Sequence, residues 1–276
     1  MKTILIALAF ISINSCRQSK AAKNIEKNTQ IKEYSESVNE INSQKNKIDE
    51  KVEIQNANLK ITFEEKINIP NEMIEKIPVA IQTEVRNLKN NPIIYFLNYD
   101  GNTSNYSIDD LKKYIKTSST VSKKSNSFHL AEFSTYKDYQ SNLLVIKSSM
   151  MDKSYLINRK LINFDWKISN ENKKIGNYLC KKATTIYKDE KIIAYYTDEI
   201  PFSVGPSIYQ GLPGLILYLV APDRTYTATK IDNIDKMIVE KLTGDKTISE
   251  KEYLELVEKY KNKEIIEEKI EEYHEN

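Results

Sequence analysis

Eight short β segments follow one another between residues 127 and 232, and they constrain the fold more than any other feature of the chain. Most are separated by short turn-forming stretches, and such short connections make neighbouring strands antiparallel. The sequence therefore predicts a mainly β (α+β) domain in which an antiparallel meander forms a curved sheet or half-barrel. The predicted segments are SFHLAEFSTY (127–136), NLLVIKSSM (142–150), KSYLINRKL (153–161), FDWKIS (164–169), NYLCKKATTIY (177–187), KIIAYYTD (191–198), GLILYLVA (214–221) and TYTATKID (225–232).

The region before these segments adds strands and one helical segment to the predicted domain, which spans residues 59–245. LKITFEEKI alternates apolar and polar residues from Leu59, as a half-buried strand does. Apolar residues then recur at helical spacing over residues 70–90, where Pro78 must kink or split the helix. PIIYFLNYDGNTSNYSI predicts a strand, a turn at Asp100-Gly101 and more extended chain. Residues 107–125 are ambiguous, and Ser107 with Asp110 is a candidate cap for a short helix.

The chain ends in a strongly charged segment, residues 246–276. Acidic residues outnumber basic ones there, and Ser249 is a plausible N-cap for a helix that continues through EKEYLELVEKY. We predict an acidic helical tail, either as a final amphipathic helix or as a frayed end.

Glycine is concentrated in the stretch SVGPSIYQGLPGLILYL, residues 203–219. The chain has only six glycines, and three of them lie here beside two prolines. Glycine permits positive φ and close backbone approach, and proline favours turns. The apolar run that follows does not alternate, so both faces of that strand are expected to be covered. We predict a tight loop that leads into a central strand, and we expect valine at Gly211 or Gly214 to prevent folding.

The segments FDWKISNENKKIGNYLCKKATTIY and YYTDEIPFSVGPSIYQGLPGLILYL resemble the GLPGLI family of secreted Bacteroidetes proteins. The resemblance covers about residues 59–240 and implies no catalytic residue, because the family name describes a sequence and not an activity. Two positions depart from the family pattern: YKDEK replaces a Gly-Arg turn, and Ser207-Ile208 replaces an aromatic and a basic residue. The matching residues are Trp166, Gly176, Tyr178, Cys180, Lys182, Ala183, Thr184, Ile200, Pro201, Gly205, Pro206, Gly211, Leu212, Pro213, Gly214, Leu215 and Ile216.

The first residues predict export and lipid anchoring. Lys2 precedes an apolar stretch that is too short to span a bilayer, and INSC follows it. This arrangement resembles a bacterial lipoprotein signal, so we predict a signal peptide over residues 1–15 and lipidation of Cys16. An ordinary secretory signal with an incidental cysteine is the alternative. Mature CRQSKAAK lacks an acidic cluster, which favours an envelope protein that faces the periplasm.

Residues 16–58 predict a tether between the membrane and the folded domain. The segment is rich in Asn, Lys, Glu, Gln and Ser, a composition typical of solvated linkers. A heptad-like seam nevertheless runs through it, so two interpretations stay open: a marginal amphipathic helix in a flexible arm, or a short coiled coil that joins two chains. The seam positions are Ile31, Tyr34, Val38, Ile41, Lys45, Ile48 and Val52.

Several chemistries lack the residues they need. The chain has two histidines, His129 and His274, and no Gly-x-Ser-x-Gly elbow. His/Cys metal clusters and a phosphate-binding glycine loop are likewise missing from the sequence pattern. A formal net charge of +2 argues against nucleic-acid binding. We therefore predict no enzyme activity, no metal and no cofactor.

Two further groups could carry chemistry: the neighbouring carboxylates Asp198 and Glu199, and the Cys180 thiol. Glu199 is expected to be a structural acceptor, because the adjacent residues Asp198 and Glu199 point to opposite faces of a strand. If Cys16 is acylated, Cys180 is the one remaining thiol, and it is either a buried apolar residue or a reactive group; no motif supports the second.

Two functions remain, and the state of the concave face distinguishes them. The first hypothesis is non-catalytic binding of a lipophilic ligand in the curved sheet. The alternative is an interaction protein that docks onto an outer-membrane transporter or another envelope complex through an edge strand or a terminal helix. An apolar and hollow concave face would favour the ligand, whereas a filled or polar one would favour the partner.

Overall fold

The computed structural model describes residues 48, 51–76, 79–108, 134–150 and 153–259, which form one twelve-stranded sheet with three helices. The strands are β1 Leu59–Ile67, β2 Ile93–Tyr99, β3 Thr103–Ile108, β4 Ser134–Asp138, β5 Leu143–Met150, β6 Lys153–Lys160, β7 Lys167–Ile175, β8 Tyr178–Tyr187, β9 Glu190–Thr197, β10 Leu215–Val220, β11 Arg224–Asn233 and β12 Lys246–Ser249. The helices are α1 Asn71–Glu75, α2 Val79–Asn90 and α3 over residues 250–259.

The sheet consists of two antiparallel meanders that meet at β1 and β11. Its order is β12-β6-β5-β4-β3-β2-β1-β11-β10-β9-β8-β7, so β1 to β6 form one meander and β7 to β11 the other. The mainly β, antiparallel prediction is confirmed, and the sheet is open. One pair departs from it, because β12 runs parallel to β6. The sequence placed residues 246–249 in the helical tail; four residues are too few to reveal a strand period.

The connection between the two meanders requires the sheet to curl. A flat sheet would place β6 and β7 about 48 Å apart, since ten strand spacings of about 4.8 Å separate them. Only residues 161–166 join these strands, and even fully extended they reach about 25 Å. The two ends of the sheet must therefore approach each other, which leaves an enclosed concave side.

The predicted strand FDWKIS is displaced in the structure. Residues 161–166 form an irregular connection, and β7 occupies residues 167–175, which include most of the predicted turn NENKKIG. The turn itself lies at Gly176 and Asn177. The prediction is wrong here because β7 is an exposed strand with polar residues on both faces, so it lacks the alternation that marks a half-buried strand.

The other predicted elements lie close to their expected positions. α1 and α2 flank residues 77–78, so the helical segment is split where Pro78 was expected to split it, although Pro78 itself lies outside the described residues. The β2–β3 hairpin turns at Asp100, whose carboxylate accepts hydrogen bonds from the backbone of Asn102 and Thr103. Ser107 belongs to β3, and Asp110 lies outside the described residues.

Ser249 caps α3 as predicted. Its hydroxyl oxygen accepts a hydrogen bond from the Glu252 backbone N–H at 3.2 Å, and its own N–H donates to the Glu252 carboxylate at 2.7 Å. This reciprocal pair is a capping box. Tyr253 and Leu256 then pack the helix against Tyr155 and Ile248, which forms a second small core at the β12 end of the sheet.

The last residues of the predicted tether pack against the strand ends. Ile48 is buried and Val52 is partly buried against the main core. The Val52 N–H donates to the Tyr178 hydroxyl at 2.9 Å, and Asn233 donates to the backbone oxygens of Asn56 and Asn58. Residues 51–58 thus form a strap that contacts the first residue of β8 and the last residue of β11. The other seam positions, Ile31 to Lys45, lie outside the described residues.

Candidate functional site

The loop between β9 and β10, residues 198–214, fills the concave side of the sheet and is called the plug loop below. Its backbone bonds to β10, where the Ile216 N–H donates to the Val204 carbonyl at 3.0 Å. The same loop also contacts β4, which lies five strands away from β10 in the sheet order. The adjacent residues Val204 and Gly205 accept these bonds from β10 and β4 respectively, so the loop lies between the two strands, inside the curl. Its apolar residues Ile200, Val204 and Leu212 are at most 1% exposed.

Two side chains of β4 fasten the plug loop through its carbonyl groups. The Lys137 ammonium donates to the carbonyl oxygens of Gly205 at 3.1 Å and Tyr209 at 3.0 Å, and the Thr135 hydroxyl donates to the Ser207 carbonyl at 3.0 Å. Lys137 is 1% exposed, and burial lowers its pKa from 10.5 to about 7. A neutral amine retains two N–H donors, enough for the bonds to Gly205 and Tyr209.

The lowered pKa of Lys137 predicts a stability that rises with pH. Between about pH 7 and about pH 8.5 the unfolded chain keeps a proton on this lysine that the folded chain has lost, so the free energy of unfolding should increase by about 1–2 kcal/mol. Urea denaturation across this range measures the effect, and Lys137→Met should remove the slope. An equal slope in both proteins would contradict the assignment.

A second buried polar group lies on the concave face, around Glu65 of β1. The Glu65 side chain is 2% exposed, and its carboxylate accepts hydrogen bonds from Arg224 and from the Tyr106 hydroxyl, the latter at 3.2 Å. Arg224 also contacts Asp223 at 3.3 Å. The rings of Tyr106 and Tyr226 lie 6.4 Å apart beside the pair.

Burial dominates the electrostatics of this cluster. It raises the pKa of Glu65, with Arg224 opposing the shift. It also raises the pKa of Tyr106 and Tyr226 well above the ordinary value, and the nearby Glu65 carboxylate adds to both shifts. Although burial alone would lower the pKa of Arg224, Glu65 and Asp223 raise it. Both oxygens of the carboxylate are hydrogen-bonded, so the cluster links β1 to β3 and β11.

The predicted motif residues of β8 are structural. Tyr178, Cys180 and Ala183 are buried, and burial raises the pKa of the Cys180 thiol to about 12. A thiol so far from ionisation is a poor nucleophile, so the buried, unreactive interpretation of Cys180 is supported. Lys182 donates to the Glu171 carboxylate at 2.7 Å, and Thr184 lies half-buried in the same strand. Gly176 forms the turn before β8 with a φ of +55°.

The remaining motif residues lie in and beside the plug loop. Ile200 and Leu212 are buried in it, whereas Pro201 and Pro213 are exposed. Trp166, expected in a strand, lies in the connection before β7, where its Nε1 donates to the Gln210 carbonyl at 2.7 Å. The buried loop residues Gly205 and Pro206 and the exposed Gly211 precede Gly214, which leads into Leu215 and Ile216 of β10.

β10 is the central strand that the sequence predicted. All six of its residues are buried, so the non-alternating apolar run does mark a strand covered on both faces. Glu199 accepts a hydrogen bond from the Leu179 N–H at 3.1 Å and pairs with Lys51, as expected for a structural acceptor. Asp198 pairs instead with Lys181.

Sequence reasoning missed the polar groups on the concave face. Glu65 occupies an inward position of the alternating strand LKITFEEKI, together with Phe63 and Ile67, so a charged residue at a buried phase was an available signal. Lys137 gave a weaker signal, because every residue from Ser134 to Lys137 is buried and the strand has no alternation that would mark an inward position. Their partners lie far away in sequence and could not be read from either strand.

Cys16, His129 and His274 lie outside the described residues. Within the described part of the chain, no group of three or more His, Cys, Asp or Glu residues could hold a metal ion. No helix in that same part is both long and apolar enough to span a bilayer.

Comparison with known families matches only the central part of the β domain. A family model described as a protein of unknown function (Porph_ging) matches residues 184–218, from β8 through the plug loop into β10. No curated protein matches the chain. The resemblance to the GLPGLI family stays a prediction, because the matching model carries a different description.

Two solved structures of PNGF-II, in space groups P21 and C2, are similar to this chain. Both are 18% identical in sequence over 73% of this chain, with TM-scores of 0.48 and 0.47. The chain spans about a third of the length of PNGF-II, at 33% and 32% of the two chains.

Proposed function

We propose that this chain is a non-catalytic, lipid-anchored protein of the bacterial cell envelope that works by docking a protein partner. One observation carries the choice between the two functions left open by the sequence. The concave face, where a lipophilic ligand would lie, is filled by the plug loop, whose residues Ile200, Val204 and Leu212 are at most 1% exposed.

The polar contacts of the plug loop also favour docking over ligand carriage. Lys137 and Thr135 hold three of its carbonyl groups. A ligand that replaced the loop would leave a buried lysine and a buried hydroxyl without these acceptors, and each unsatisfied group costs about 1–3 kcal/mol. Lipophilic molecules offer no replacement acceptor along an acyl chain. The loop is therefore suited to remain in place.

The proposed location rests on the leader sequence. The apolar stretch followed by INSC predicts acylation of Cys16, and two or three acyl chains hold a protein firmly on a membrane. The lack of an acidic cluster after Cys16 favours the periplasmic side. A partner in the same envelope, such as an outer-membrane transporter, would meet the domain at the end of a tether.

Native mass spectrometry of the mature chain tests this function. A Cys16→Ser variant cannot be acylated, and we expect its spectrum to contain the bare protein mass with no non-covalent lipid. The unaltered chain should carry the additional covalent mass of its acyl chains. A lipid-sized ligand that stays with Cys16→Ser until collisional activation would contradict the docking function and support the lipophilic-ligand hypothesis.

A further inference from the structure

The strand β7 ends the sheet with one edge unpaired. Among the strands that the structure describes, β7 pairs only with β8, and it is nine residues long. The strand at the opposite end, β12, has four residues and leads directly into α3. An unpaired edge presents backbone N–H and C=O groups that another strand can bind. β7 is therefore the larger of the two available edges.

The side chains of β7 give this edge a positive charge. Lys167, Lys173 and Lys174 are opposed within the strand by the single acidic residue Glu171. Glu171 is already engaged, because its carboxylate accepts from Lys182 at 2.7 Å and from the Tyr195 hydroxyl at 3.1 Å. Lys173 is also engaged, since its ammonium lies 5.9 Å from the centre of the Tyr195 ring. The charge that an incoming strand meets is thus mainly that of the exposed Lys167 and Lys174.

The same charge decides against a second copy of this chain. Two β7 strands placed side by side would bring lysines together, and like charges on neighbouring strands are destabilising. Lysine on an edge strand is a known protection against self-association. An acidic strand would instead be attracted to the lysines of β7, because complementary charge favours its approach and fixes its register.

Apolar side chains at this end of the sheet would be covered by such a strand. Ile168 and Leu179 are 51% and 56% exposed. Ile168 lies opposite Ala183 in the strand register, and Leu179 is four residues from Ala183 along β8. Residues separated by an even number along a strand point to the same face, so Ile168 and Leu179 share one face of the β7–β8 pair. The register shift between Ile168 and Asn172 frees the backbone of Ser169 to Glu171 from regular pairing with β8, and such bulges re-aim an edge.

We infer that the free edge of β7 binds an extended, acidic segment of the protein partner as an added antiparallel or parallel strand. This inference rests on the docking function proposed above and names the partner's chemistry. Backbone hydrogen bonds give the segment its affinity, and the lysines select it over neutral or basic segments.

The test uses two synthetic peptides with the mature Cys16→Ser chain. One alternates valine with glutamate and the other alternates valine with lysine, so they share β propensity and differ in charge. We expect the acidic peptide to bind and to protect the backbone amides of residues 167–175 from hydrogen exchange. The Lys167→Glu/Lys174→Glu variant changes two exposed positions, and its affinity for the acidic peptide should be about tenfold lower than that of the unaltered strand. The basic peptide should likewise bind the unaltered strand about tenfold more weakly than the acidic peptide does.

A matched variant separates local from general charge effects. Lys236→Glu/Lys241→Glu makes the same change of net charge at two exposed positions outside the strands, and it should bind the acidic peptide as the unaltered chain does. Equal affinity for both peptides, absence of protection at residues 167–175, or an equal loss in the control variant would overturn the inference. If one of these outcomes occurs while the mass spectrum of Cys16→Ser shows no bound lipid, β7 is excluded as the docking site but the docking function itself is not contradicted.

Discussion

Replacing Gly214 with alanine is expected to prevent the protein from folding. A Cβ atom at this position would lie 2.1 Å from the carbonyl oxygen of Thr197 and 2.7 Å from its carbonyl carbon. Both atoms belong to the last residue of β9, which pairs with Leu215 of β10. Relief would require the central strand to separate from its neighbour. We expect a loss of more than about 4 kcal/mol, which is comparable with the whole stability of a typical domain.

Gly211→Ala is the matched control for this prediction. Gly211 has a φ of +94°, but an added Cβ would contact only the Trp166 ring, at an ordinary 3.7 Å. The substitution strains the backbone by about 1–3 kcal/mol without a steric clash, so a folded and less stable protein is expected. Circular dichroism and thermal unfolding distinguish the two variants. A cooperative transition near the wild-type temperature in Gly214→Ala would show that the close approach is not real.

Replacing Arg224 with methionine should destabilise the protein by about 3–5 kcal/mol, because Glu65 would then be buried without its cation. The Glu65 side chain is 2% exposed, and the Tyr106 hydroxyl is the other hydrogen-bond donor to its carboxylate. Arg159→Met is the matched control. Arg224 and Arg159 are both 24% exposed, but Glu250, the partner of Arg159, is 40% exposed. A change of at most about 1 kcal/mol is therefore expected in the control.

The Arg224→Met effect should shrink in acid. Burial already raises the pKa of Glu65, and loss of the guanidinium removes the main opposing influence. Above the ordinary carboxyl pKa the folded variant would then bind a proton that the unfolded chain does not, so its free energy of unfolding rises as the pH falls. Urea denaturation at about pH 7 and about pH 5 measures this. A pH-independent deficit would rule out an uncompensated Glu65 as the cause.

A double variant tests whether the Glu65–Arg224 ion pair contributes net stability or only compensates for the cost of burying its own two charges. Apolar replacements of a buried ion pair are often neutral or stabilising, so Glu65→Leu with Arg224→Met should recover most of the stability lost by Arg224→Met alone. A double variant as unstable as the single one would mean that the pair contributes net stability, through Tyr106 and Asp223.

Local sequence patterns predicted the elements in which the residue types themselves indicate which positions are buried or capped. β1 alternates along its whole length, and its inward positions are buried as the period requires. β10 is a continuous apolar run and is covered on both faces. Ser249 was predicted as an N-cap, and in the structure it exchanges hydrogen bonds with Glu252 three residues later. In each case the cause of the structure lies within a few residues of the effect.

Prediction failed where the surroundings come from elsewhere. β7 carries polar residues on both faces, so it looked like a turn, and only its pairing with β8 makes it a strand. Val52 and Asn56 belong to a segment with the composition of a linker, yet they contact Tyr178 and Asn233, more than a hundred residues away. Composition describes a segment alone and cannot report the partner that orders it.

The chain by itself determined where most of the extended strands form and where glycine permits a tight loop, since the alternation of side chains and the backbone preferences of glycine and proline act over a few residues. The tertiary structure alone decided that the sheet curls and that its interior is closed by the plug loop. It also decided that Lys137 bonds to Gly205 and Tyr209 and that Glu65 pairs with Arg224. The members of these contacts are 68 to 159 residues apart, and only strand order brings them together.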